Sequence, residues 1–368
     1  MSERVVCTII TKSYVPYART LANALAEYDP NSKLFVLLAD KVDGYFEPDK
    51  ENFNLIRLED LPEQETVEKM CFYYTPFELC CALRGMLHEY MFEHTAIESW
   101  LFLDSDIMIF SSLEEIFQKL QKTSILLNMH CNTPVDVKYV DPYEFSFLRS
   151  GLYNGGFLGL RRTDESKKFI SWFKTRLTKF CFDDLSIGEV RGLFVDQLWL
   201  NLIPLYFKDV SFCLEPGVNL GHWNLFERAL KKDFNGKFTV NDKPLFFFHF
   251  SGWDISNPYK VSKYSPIDSE NTPPVWIELS EIYKEKLLRN DYKTFAHFPY
   301  AFNYFHGGEL ITLTTRRMYY NELMQDIEIK GSPFENYLYF ESKLHPQNSK
   351  TFFQRIREAA KQTLNALF

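Results

Sequence analysis

The first 110 residues alternate apolar runs with amphipathic stretches, and this rhythm restricts the fold more than any other feature of the chain. "RVVCTIIT" (Arg4–Thr11) is a nearly unbroken apolar run, the pattern of a strand buried on both faces. In Tyr17–Tyr28, Leu21, Ala24, Leu25 and Tyr28 recur at helical spacing. "KLFVLLAD" (Lys33–Asp40) reads as a second strand and "FNLIRL" (Phe53–Leu58) as a third. A long helix is predicted over Pro76–Phe92, leading to a fourth apolar run, "SWLFLDSDIMIF" (Ser99–Phe110). Strand and helix in alternation mean βαβ units and a mostly parallel sheet. In such sheets ligands bind outside the carboxyl ends of the strands.

Asp104 and Asp106 sit at such an end. On a continuing strand, two acids one residue apart would face opposite sides. Where the strand ends, the chain turns and both can converge on one hard cation, magnesium or manganese. The residues alone leave open a capped surface turn. Three further groups carry chemistry at unusual places. His249 lies inside the apolar "PLFFFHFSGW" (Pro244–Trp253), a predicted buried strand that stops at Gly252. It is either a satisfied core histidine or a metal ligand. Asp196 and Gln197, with Asn201 one turn later, interrupt "FVDQLWLNLIPLYF" (Phe194–Phe207), a predicted short helix ended near Pro204. Polar groups in such a run must find partners, in the backbone or in sugar hydroxyls. Asn154-Gly155-Gly156 opens "YNGGFLGLRR" (Tyr153–Arg162), read as a turn with positive φ entering a strand.

The 368 residues make one large domain or two ordinary ones, and 35 Phe and 21 Tyr supply ample core. Ser166–Phe180 reads as an amphipathic helix with a basic polar face. A shift to Ser, Pro, Asn and Tyr near Ser256–Pro274 suggests a boundary, giving a first domain over 1–260 and a mostly helical extension over 261–368. Helices are predicted over Val275–Asn290, Leu310–Met324 and Lys350–Leu367. The last is amphipathic, and is expected to pack or form a homodimer, with peripheral membrane contact as the alternative. A net charge of -8 without a basic block argues against nucleic-acid binding. Seven cysteines without a C-x-x-C point to neither a disulfide framework nor a thiolate zinc site. With no leader-like start and no apolar run of membrane-spanning length, the expectation is a cytoplasmic protein without a transmembrane segment.

Taken in order, these groups resemble the GT-A glycosyltransferases, especially the retaining family-eight type related to glycogenin and bacterial galactosyltransferases. The resemblance rests on "TKSYVPYA" (Thr11–Ala18), Arg84, "LFLDSD", "YNGGFLGL", "FVDQLWLN" and "HFSGW", and covers about residues 4–255. It implies an α/β fold of GT-A type: a Rossmann-like, mostly parallel mixed sheet flanked by helices, with a helical C-terminal extension. It further implies Mn2+ (or Mg2+) held by Asp104, Asp106 and His249, and a UDP-sugar as donor. Thr11 and Tyr14 match the loop that holds base and ribose. Arg84 and Ser105 match positions beside the donor, and Asn154, Gly155 and Gly156 the turn beside its sugar. Asp196 and Gln197 match the pair under the sugar ring. The family's late motif continues to a lysine on the diphosphate. Here no lysine stands at that offset after Gly252, and Lys260 or Lys263 is the expected substitute. "NLGHWNLFER" (Asn219–Arg228) and Tyr300–Tyr320 resemble segments of poorly characterised bacterial transferases, with no role implied.

The expected function is transfer of a sugar from a nucleotide-sugar to a glycan, lipid-linked or protein acceptor, with retention. Inverting transfer, nucleotidyl transfer and a nucleotide-sugar-binding pseudo-transferase are the alternatives. A dehalogenase-like phosphatase is disfavoured because Ile107 and Met108 follow the acids. Trp223 and Trp253 are candidates for stacking on an acceptor sugar, or for the core.

Overall fold

The computed structural model describes residues 4–184, 193–265 and 272–345. The chain divides into two compact units, 1–64 with 76–300, and 65–75 with 301–368.

The first unit is built on a seven-stranded sheet. In chain order its strands are β1 (Arg4–Ile10), β2 (Ser32–Leu38), β3 (Asn54–Ile56), β4 (Ser99–Leu103), β6 (Ile125–Met129), β7 (Tyr153–Arg161) and β10 (Val210–Phe212), with β5 (Ile107–Ile109) outside it. The spatial order is β10-β6-β7-β4-β1-β2-β3. β1 pairs in parallel with β2 and β4, β2 with β3, and β6 with β10; β7 runs antiparallel to β4 and β6. The sheet is therefore mixed and mostly parallel, flanked by helices as the βαβ rhythm requires. β4 is buried at every position because it lies between β1 and β7.

Smaller strands complete the unit. β8 (Asp183–Asp184) pairs with β9 (Leu193–Phe194), and β11 (Leu230–Lys232), β12 (Phe238–Val240) and β13 (Lys243–Pro244) form a separate sheet. β14 (Phe247–His249) lies antiparallel to β5. Among the helices, α1 (Val15–Tyr28) starts with Pro16 in its first turn, where a missing N–H is harmless. α7 (Asp164–Phe180) starts in a reciprocal cap: Thr163 Oγ1 accepts from the Ser166 amide and Ser166 Oγ from the Thr163 amide. α5 (Glu114–Leu120), α6 (Ser146–Ser150) and α8 (Ile203–Tyr206) are short.

Several expectations change. The helix predicted over Pro76–Phe92 is two, α3 (Pro76–Ala82) and α4 (Arg84–His94), with the break at Leu83 placing Arg84 at a helix start. The stretch after Asp196 is a 3₁₀ turn, Gln197–Leu202, and Pro204 lies in the first turn of α8 rather than ending a helix. The division also falls elsewhere than at residue 260. α9 (Trp276–Arg289) and α10 (Tyr292–Phe295) belong to the first unit, where Trp276, Leu279, Tyr283, Leu287 and Phe295 are part of the hydrophobic core. Trp223 is buried and Trp253 packs against that core.

The second unit joins α2 (Gln64–Tyr73) to α11 (Leu313–Met324) and α12 (Tyr337–Leu344). Phe72 lies with its ring centroid 4.9 Å from Tyr319, 5.1 Å from Phe334 and 5.5 Å from Phe340. The buried Arg316 guanidinium donates to the carbonyls of Phe72, Tyr74 and Phe302 at 2.6, 2.9 and 2.6 Å, closing the C-terminal end of α2. The helix predicted over Lys350–Leu367, with its dimer or membrane role, lies outside the described residues. Among the described residues no helix is long and apolar enough to cross a membrane.

Candidate active site

The site begins where β4 ends. The Asp104 amide donates to the Gly156 carbonyl (3.1 Å), and the Ile107 amide to the Asp104 carbonyl (3.1 Å), closing a turn around the buried Ser105. β5 then leaves alongside β14 with Ile107 opposite His249, and the Phe250 amide donates to the Asp106 carbonyl (2.9 Å). This pairing carries a histidine some 140 positions away in sequence onto the two acids. His249 Nε2 lies 3.1 Å from Asp106 Oδ1 and 3.7 Å from Asp104 Oδ2, and one ligand atom from each of the three residues lies within 4.8 Å of the others.

The donor set is two carboxylate oxygens and one imidazole nitrogen. It matches a hard or borderline divalent ion such as Mg2+ or Mn2+. The electrostatics agree. Burial works against a charged imidazole at His249, yet Asp106 and Asp104 outweigh it and hold the ring's pKa above its ordinary value. The acids thus stabilise positive charge at this point.

β7 supplies the facing wall, and here the glycines differ from expectation. Asn154, Gly155 and Gly156 lie within the strand rather than in a turn, and neither glycine has positive φ. They are needed for space. A Cβ on Gly156 would stand 2.3 Å from His249 Cε1, and one on Gly155 would stand 2.9 Å from an Arg84 guanidinium nitrogen.

Arg84 ties the site together. Its guanidinium lies over the Phe102 ring (4.3 Å) and bonds Asp104 Oδ1 (2.5 Å), Asp196 Oδ2 (2.5 Å) and the Gly155 carbonyl (2.6 Å). Burial disfavours its charge, but Asp104 and Asp196 more than compensate and raise its pKa. Burial likewise pushes the Asp196 carboxyl up, against the pull of Arg84. Asp196 follows Val195, a buried β-branched residue held at φ 39°, a strained conformation. Gln197 is engaged at both ends: Oε1 accepts from the Gly155 amide and Nε2 donates to the Ser150 carbonyl, each at 2.9 Å. Asn201 Oδ1 accepts from the Leu152 amide (2.8 Å).

Thr11 begins a 3₁₀ turn after β1, its hydroxyl 3.0 Å from that of Ser13. Tyr14 is half-exposed and stacks on Tyr17 (4.6 Å). Burial, then the charge of Asp106, pushes its phenol up to about 12, so Tyr14 feels that acid. Gly252 turns at φ +67°, and its carbonyl accepts from the Lys263 amide (2.9 Å). Lys260 and Lys263 are both exposed; the Lys260 amide bonds the Asn257 carbonyl (3.2 Å), and it is the Lys263 backbone that meets the Gly252 turn.

Two features escaped the sequence. Lys12 is buried, with its ammonium 3.1 Å from Asp43, 3.7 Å from Asp40 and 4.6 Å above the Tyr45 ring. Asn128, Asn154, Asn219 and Asn224 form a buried amide network with His130 behind His249. Of its members the sequence singles out Asn154, and a further signal is Asn128, a polar residue inside the apolar β6 run "ILLNM".

No protein-family model matches the chain. Among curated proteins it is similar to the uncharacterized protein YfnF of Bacillus subtilis (strain 168), at 26% identity over 289 residues, covering 76% of this chain and 90% of that protein. Among solved structures it is similar to the galactosyltransferase LgtC in complex with donor and acceptor sugar analogs. That likeness has 15% identity, covers 78% of this chain and 95% of that one, and has a TM-score of 0.45. The glycosyltransferase GlyE of Streptococcus pneumoniae TIGR4 aligns at 14% identity over 79% of this chain and 64% of its own, with a TM-score of 0.42.

Proposed function

We propose that the protein is a metal-dependent glycosyltransferase that moves a sugar from a nucleotide-sugar, a UDP-sugar by the motif resemblance, to an acceptor hydroxyl with retention of anomeric configuration. The observation that carries this reading is the meeting of Asp104, Asp106 and His249 at the carboxyl edge of a mixed sheet, with ligand atoms within 4.8 Å. Arg84 beside them bridges two acids.

In this reading the three residues hold Mn2+ or Mg2+. When bound, such an ion neutralises the negative charge that develops on a departing diphosphate. Arg84 fixes the orientation of Asp104 and Asp196 and adds positive charge beside the leaving group. The bare backbone of Gly155 and Gly156 lets the donor sugar approach β7. Asp196 and Gln197 support the sugar face, Asp196 oriented by Arg84 and Gln197 by the Gly155 amide. With its carboxylate clamped in an ion pair, Asp196 is an electrostatic support for an oxocarbenium-like transition state rather than a nucleophile. Thr11, Tyr14 and Ser105 border the nucleotide, and Gly252 with Lys263 or Lys260 borders the diphosphate. The setting is cytoplasmic, where nucleotide-sugars are made.

The test is a donor screen: thermal stabilisation by UDP-, GDP- and CMP-sugars, with and without Mn2+. Stabilisation by one nucleotide family that requires the ion supports the proposal. Release of UDP on turnover marks glycosyl transfer, and release of pyrophosphate would instead mean nucleotidyl transfer. Equal melting temperatures in every condition would overturn the reading.

A further inference from the structure

The imidazole of His249 can serve the ion only if Nε2, the nitrogen facing Asp104 and Asp106, carries a lone pair rather than a proton. Which nitrogen is protonated is set by what the other one meets. Behind the ring, Nδ1 lies 3.2 Å from Asn219 Oδ1. An asparagine amide can present oxygen or nitrogen, so its orientation has to be fixed by its own partners.

Those partners are anchored in the backbone. Asn154 Oδ1 accepts from the Gly156 amide (2.9 Å), which can only donate, so this atom is the oxygen. Asn128 Nδ2 donates to the Cys213 carbonyl (2.8 Å), which can only accept, so its other atom is the oxygen. Both oxygens point at Asn219, whose Nδ2 donates to them at 3.0 and 3.2 Å. Turned over, Asn219 would set oxygen against two oxygens. Its oxygen is therefore held toward His249, and the ring must donate through Nδ1–H. The carbonyl of Asn219 accepts from Asn224 Nδ2 (3.1 Å), and the residue is wholly buried with φ 55°.

We infer that Asn219 is a positioning residue for the metal centre: locked by Asn128 and Asn154, it holds His249 as the Nδ1–H tautomer and leaves Nε2 free to ligate. This rests on reading Asp104, Asp106 and His249 as an ion site. It also gives the segment Asn219–Arg228 a role that its sequence did not disclose.

The experiment uses the full chain and Mn2+ alone. Glycine tolerates φ 55°, so Asn219→Gly removes the amide while keeping the backbone. Free Mn2+ measured by electron paramagnetic resonance is expected to show affinity weakened about 10- to 100-fold, the usual effect of losing such a partner, with unfolding still cooperative. Wild-type affinity in this variant, whatever its melting temperature, overturns the inference. The second measurement reads the wild type itself, with a variant used only for assignment. In 15N-histidine spectra of the Cd2+-loaded wild type, with His249 assigned by its absence in His249→Ala, the proton is expected on Nδ1. A bare Nδ1 also overturns the inference. A wild type that binds neither ion removes the metal reading itself. Wild-type binding with an unaffected Asn219→Gly removes only the role of Asn219.

Discussion

Arg84 holds two carboxylates and a carbonyl with one guanidinium, and that geometry admits no close substitute. Lysine is a point charge and cannot span Asp104 and Asp196 together. Arg84→Lys is expected to reduce turnover at least 100-fold, in keeping with loss of a charge-stabilising donor in a buried site, and Arg84→Met to destabilise the fold by about 3–5 kcal/mol, since it strands the buried Asp196. Denaturant unfolding and single-turnover rates check both, and a methionine variant as stable as wild type would contradict the buried-pair account. Gly156→Ala tests the other wall. Its Cβ would occupy the place of the His249 ring edge. The variant should lose Mn2+ affinity, as read by titration with Mn2+ alone. His130 supplies a pH prediction. Burial pushes its pKa down to about 4, so it stays neutral in the fold. The unfolded chain takes up the proton first as pH falls. This contribution to stability is complete above about pH 6.5 and is lost between there and about pH 4, amounting to about 3 kcal/mol. Urea midpoints at pH 7.5 and 5.0 should fall accordingly, and the drop should be smaller in His130→Gln.

At the scale of elements, the strands that hold the acids were legible because they are short, apolar and buried on both faces. β1, β3, β4 and β14 fall inside the stretches expected for them, and β2 starts one residue earlier, at Ser32. Local pattern could not give the break at Leu83, since Pro76–Phe92 is helical by composition throughout and the interruption serves Arg84, whose partners are up to 112 residues away. It also could not give the state of Gly155 and Gly156. A glycine pair reads as a turn, whereas here the crowding comes from His249 and Arg84 on other elements. α2 escaped notice because its apolar face is matched by residues after 300. Arg316 is its closing element. Arg316→Met should leave the α2 carbonyls without their donor and lower the melting temperature by several degrees. A circular dichroism melt indistinguishable from wild type would contradict that role.

For the whole molecule, composition suggested a boundary near residues 256–274. That stretch is rich in Ser, Pro and Asn, yet Trp276 and Tyr283 beyond it lie in the core of the first unit. A chain ended at residue 260 is therefore expected to lose cooperative unfolding, because it lacks six buried core residues: Val261, Trp276, Leu279, Tyr283, Leu287 and Phe295. The candidate site was more legible than that boundary. Asp104, Asp106 and His249 were picked out as polar residues in apolar runs, and the sheet brings them together. Asn154 apart, the asparagines behind them were not picked out as a network, because one amide in a sequence says nothing of which other amides it will meet.

The central claim is that the acid pair at the end of β4 binds a divalent ion that the donor nucleotide needs. It is tested most directly by calorimetric titration of UDP into wild type and Asp106→Ala, each with Mn2+ and with a chelator. The account predicts binding by the wild type that requires Mn2+, and none by the variant in either condition while its fold is kept. Mn2+-dependent binding of UDP by Asp106→Ala with wild-type affinity would contradict it.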